Sequence, residues 1–129
     1  MDSPLVTFDL KEKYLLVNGH GKRDNLASMV EASAQIYAKV IETDSRYLLV
    51  DYRNLHISVH LCEAFNIVKR YEVVQPHLKN VIVAAVFHGN SIEFGGYWRD
   101  ISQQRGFRFE IFEDMHAAEK WLLEQAESV

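Results

Sequence analysis

One cysteine, Cys62, stands in the 129 residues, so no internal disulfide can form. That suits a reducing compartment, and the cytoplasm is the expected location. Two prolines and six glycines leave the chain thinly punctuated. No linker, low-complexity tract or internal repeat is apparent, so residues 1–129 read as one domain. No apolar stretch approaches the length of a membrane span, and Met1-Asp2-Ser3-Pro4 lacks the basic start and apolar run of a signal peptide. Basic clusters are missing too. The net charge is −4, and Asp9, Glu12 and Asp24 interrupt Lys11, Lys13, Lys22 and Arg23, which read as a solvated rim and not a phosphate track. Nucleic acid is therefore not an expected partner.

What the chain does have is apolar periodicity, with 48% of its residues hydrophobic, enough for a core at this length. Leu5 to Leu10 alternates as a half-buried strand should, and Tyr14 to Val17 forms a second strand that Asn18-Gly-His-Gly21 ends in a turn needing positive φ. Asp24 or Asn25 caps a helix whose inner face carries Leu26, Met29, Val30, Ser33, Tyr37, Val40 and Ile41. Tyr47 to Tyr52 is a strand covered on both faces, followed by a polar loop from Asp51 to His56. Ser58 is placed to cap the next helix, which buries Leu61, Ala64, Phe65, Val68 and Tyr71 and stops before Pro76. Val81 to Phe87 is the second central strand. Asn90 and Glu93 form a capping-box pattern, and the helix they start buries Phe94, Tyr97, Trp98 and Ile101 and ends at Gly106. Phe107 to Phe112 alternates strictly, as an edge strand does, and Asp114 caps a last helix with Met115, Ala118, Trp121 and Leu122 inward.

The order is β-β-α-β-α-β-α-β-α, which predicts an α/β fold with a mixed, mostly parallel five-stranded sheet and four helices. Ligands and partners of such sheets meet the loops after the strands' carboxyl ends, so those opening at Asn18, Asp51 and His88 are the surface to inspect first.

Three stretches carry a family resemblance: Gly19-His-Gly-Lys-Arg-Asp24, Leu48-Leu-Val-Asp-Tyr-Arg-Asn-Leu55, and Phe112-Glu-Asp-Met-His-Ala-Ala-Glu-Lys-Trp-Leu122. The chain resembles the STAS domains, the SpoIIAA-like anti-sigma-factor antagonists, in a divergent branch. The resemblance implies a non-catalytic regulatory module that binds a protein partner or itself, with Asp51, Arg53, His56, Ser58 and His60 as the contact surface and no cofactor. The family's phosphorylated Ser or Thr would fall near His60. Here the local sequence is Ile57-Ser-Val-His-Leu61, without an Asp-Ser pair, and Ser58 comes two residues early, so the switch residue is absent from its expected place. The related fold of lipid-carrying CRAL-TRIO domains keeps open a small apolar ligand, for which Phe94, Tyr97 and Trp98 are the pocket candidates.

Chemistry-bearing residues elsewhere have simpler readings. His56, His60 and Cys62 offer zinc-type ligands, but His56 reads as a loop residue before the helix and Glu63 or His88 would have to converge through the fold to complete a site, so no metal is expected. Cys62 with His60 makes a minor enzyme alternative, and a lone helical cysteine is more simply a small core residue. Gly95-Gly96 inside a helix costs roughly 1 kcal/mol per glycine relative to alanine. Close packing, or a flexible wall beside an aromatic pocket, would account for it.

Overall fold

The opening alternation becomes a hairpin. In the computed structural model, which describes residues 5–127, β1 (Val6–Leu10) runs antiparallel to β2 (Leu15–Arg23). β2 then pairs in parallel with β3 (Tyr47–Ile57), β3 with β4 (Ile82–Val86), and β4 with β5 (Arg108–Phe112). The strands lie in chain order, with β1 and β5 at the edges. Helices α1 (Leu26–Thr43), α2 (Cys62–Val74), α3 (Ser91–Gln104) and α4 (Met115–Glu127) connect or close the sheet. The fold class and element order are those expected from the sequence. The main core lies on the face covered by α1, α2 and α3, and a smaller core of Leu49, Ile82, Ala84, Val86, Ala118 and Leu122 lies under α4 alone.

Local chemistry explains most boundaries. The Asn25 side chain accepts from the Ser28 N–H at 2.8 Å and caps α1. Asp114 accepts from the Ala117 N–H at 3.1 Å and starts α4. Gly106, with φ +89, takes the left-handed position after α3, and the Phe107 N–H reaches back to the Ser102 carbonyl.

Several sequence expectations are corrected. Two central strands are longer than their apolar runs: Asn18-Gly-His-Gly21 continues β2, although Gly21 has the expected positive φ, and the expected loop from Asp51 to His56 is the second half of β3. Ser58 does not cap α2. That helix begins at Cys62 with Leu61 at the cap position, and the Ser58 N–H is used on the Arg23 carbonyl, extending the ladder. Asn90 makes no side-chain cap. On the helices, Ile41, Phe65 and Tyr97 are 49%, 42% and 50% exposed, and Ile67 takes the inward place given to Phe65. Cys62 is exposed, not a core residue.

Gly95 and Gly96 part company. A Cβ on Gly95 would lie 2.7 Å from the Phe87 ring, so glycine lets α3 close down on the end of β4. Gly96 faces open space, and nothing in the structure explains it.

Candidate functional site

The carboxyl end of the sheet is shaped by one irregularity. Between the pairs Asn18↔Asp51 and His20↔Asn54, β3 advances three residues while β2 advances two, a β-bulge. Before it, Leu48, Val50 and Tyr52 pack towards the main core; after it, Leu55 and Ile57 do. The extra residue switches the parity of the strand, so apolar residues stay inward on both sides of the bulge. Arg53, Asn54 and His56 are left exposed.

Asp51 sits at the foot of this exposed stretch, opposite Val86 and 7% exposed. Its carboxylate takes the Arg53 guanidinium on both oxygens, each at 2.9 Å, and also accepts the Arg53 backbone N–H at 3.1 Å. The Arg53 side chain is 49% exposed, so the pair has one dry and one wet partner. The Arg53 hydrogen bonds hold the Asp51 carboxyl below its ordinary pKa, against the opposing effect of burial. A depressed folded-state pKa contributes stability that is fully present above the unfolded value of about 3.9 and is lost as pH falls through the folded value. Urea midpoints measured from pH 5 down to pH 2 should therefore fall more steeply for the native chain than for Asp51→Asn. Parallel curves would remove Asp51 as a contributor.

The other expected contact residues are near in sequence but not joined to this pair. His56 is exposed opposite Lys22, Ser58 is exposed after the strand, and the exposed His60 gives its carbonyl to the Glu63 N–H. None of the three side chains bonds to Asp51 or Arg53 among the described residues. No group of three His, Cys, Asp or Glu side chains among the described residues is placed to share a metal ion.

A second feature lies on the other side of the sheet. A cavity of about 80 Å³ opens between β3–β4 and helices α1, α2 and α3. Phe94 and Trp98 line it as expected, with Val50, Tyr52 and Phe87 among their neighbours, while Tyr97 does not. Its aromatic wall is fixed. Trp98 stacks on Phe109 at 5.1 Å, Tyr52 meets Phe87 edge-on at 5.6 Å, and the Trp98 indole N–H donates to the Tyr71 hydroxyl at 3.1 Å. Burial pushes the Tyr71 hydroxyl pKa upward, so the phenol stays neutral.

Arg23 also lines this cavity, a placement the sequence reading missed. Expected on a solvated rim, Arg23 is only 2% exposed. The signal was available in the alternation. Once β2 is carried through to residue 23, Leu15, Val17, Gly19, Gly21 and Arg23 share one parity, and the inner face is that of Leu15 and Val17.

No family model matches the sequence, and no curated protein matches it. Solved structures do. An uncharacterised protein of the DUF3478 family from Shewanella loihica PV-4, with a SpoIIAA-like fold, matches at 21% identity and a TM-score of 0.56, over 95% of this chain and 98% of that one. An anti-sigma factor antagonist from Mycobacterium paratuberculosis matches at 13% identity and a TM-score of 0.62, over 91% of this chain and 92% of that one. The chain has the SpoIIAA-like, STAS-type fold that its sequence resembles. No helix among the described residues is long and apolar enough to cross a membrane.

Proposed function

We propose that this chain is a non-catalytic regulatory module that captures a protein partner at the carboxyl end of its sheet. The observation carrying this reading is the Asp51–Arg53 pair, in which a buried carboxylate fixes a half-exposed guanidinium in one orientation. A pre-oriented arginine binds with less ordering cost than a free one, and arginine is a frequent anchor of interfaces. His56, Ser58 and His60 extend the surface beside it. The fold shared with an anti-sigma factor antagonist supports the same reading. Regulation would proceed without the usual phosphorylation, since the expected position near His60 carries no Ser or Thr and Ser58 stands outside α2. In a pull-down from the source cells, Arg53→Ala combined with Ser58→Ala and His60→Ala should lower partner capture about tenfold or more, the loss expected for one anchor residue. Capture at the native level by the folded triple variant would rule out this surface.

A second reading rests on the cavity. Its 80 Å³ and largely apolar lining suit a carrier or sensor of a small apolar ligand. Native mass spectrometry of protein purified from cells tests it. A bound mass lost on denaturation is expected, and a bare chain under every growth condition counts against it.

A further inference from the structure

Arg23 is the one charged residue among the described residues that line the apolar cavity, and none of those described residues supplies it a counter-ion. The Arg23 guanidinium donates from Nη2 to the Leu5 carbonyl at 2.8 Å and from Nη1 to the carbonyls of His20 and Lys22 at 3.1 and 3.4 Å. Of the five guanidinium donors, these bonds leave the Nε–H and one Nη2–H without an acceptor among the described residues. No carboxylate among the described residues lies within ion-pair distance of Arg23, and Glu31, an exposed residue, acts on it only from further away. A buried cation without an anion is costly, because backbone dipoles replace only part of its hydration. Burial accordingly draws the Arg23 pKa down, while Tyr52 and Glu31 oppose that shift.

Resting on the cavity reading above, we infer that the core cavity is a receptor site for a short aliphatic monocarboxylate, with its carboxylate on Arg23 and its tail among Val50, Phe87, Phe94 and Trp98. The charge selects the head group: arginine presents paired N–H donors that match a carboxylate, and the match is strengthened in a dry site. The volume selects the tail. An apolar cavity of about 150 Å³ accepts benzene, a molecule of six carbons, so 80 Å³ holds a tail of about three carbons beyond the carboxylate. A neutral ligand of the same size would fill the space but leave the cation unmatched.

The test is an NMR titration with butanoate and, separately, with 1-butanol, which keeps the tail and removes the charge. Butanoate should bind at least tenfold more tightly than the alcohol and shift the resonances of Arg23, Phe94 and Trp98. Arg23→Met should bring the two affinities within about twofold. If that variant does not fold, the comparison on the native chain still decides. Equal affinity for acid and alcohol would overturn this inference and leave the apolar-ligand reading standing. Failure of both to bind would overturn the two together.

Discussion

Phe94→Ala should lower unfolding free energy by about 3–5 kcal/mol in urea denaturation, the range for deleting a buried phenyl ring. Phe94 is 4% exposed and stands beside a space that is already empty, so the loss should lie towards the upper end. The neighbours that would have to collapse into the gap are held elsewhere: Trp98 by Phe109 and Tyr71, and Phe87 by Tyr52 and by the close approach of Gly95. A cost of this size is a large fraction of the ~5–15 kcal/mol that holds a domain together. The same deletion should shift the preference of the cavity towards longer acids, with hexanoate gaining on butanoate. A loss under about 1 kcal/mol would mean that the ring does not fill its site.

Leu122→Ala should cost about 2–5 kcal/mol, and the loss should be unevenly distributed. Leu122 is fully buried in the smaller core, which joins the outer sheet face to α4 and nothing else. Beyond that core, α4 is fastened by the Tyr14 hydroxyl donating to Glu119, by the Trp121 ring against Phe112 and by the Asp114 cap. Hydrogen exchange should therefore accelerate most along α4, while β2, β3 and β4 keep protection from the main core. Uniform acceleration across both cores would show that the two faces unfold as one unit.

How far the sequence could be read follows from where its period was clean. Val81 to Phe87, apolar throughout, gave β4 and its double burial directly, and Phe107 to Phe112, alternating without a break, gave the edge strand β5. In β3 the alternation breaks at Arg53 and Asn54, and a break in period resembles a loop. Only a partner strand running two residues against three turns that break into a bulge, and single-strand patterns carry no information about a partner. The candidate site inherited the same blind spot. Asp51 and Arg53 entered as residues of a loop at the carboxyl end of a strand, so their pairing along one continuous strand was not foreseen. Arg23 was missed because a charged residue among charged neighbours looks solvated until the strand is known to continue through it. Phe65 and Tyr97 were lost for a different reason. A helix offers more apolar residues than its inner face can seat, and the surplus stays outside, in the case of Phe65 under the Arg105 guanidinium at 5.2 Å.

The strict chain order of the strands has a kinetic side. Each strand after the first docks on the one made just before it, so the sheet can lengthen as the chain emerges from the ribosome, without waiting for a distant segment. Among the described residues, the face bearing Leu49, Ile82, Ala84 and Val86 is covered by α4 alone, and α4 follows β5. Until α4 is made, the nascent chain presents this apolar strip uncovered. A stall in synthesis after β5 would leave a folded main core with a sticky back, a substrate for chaperones.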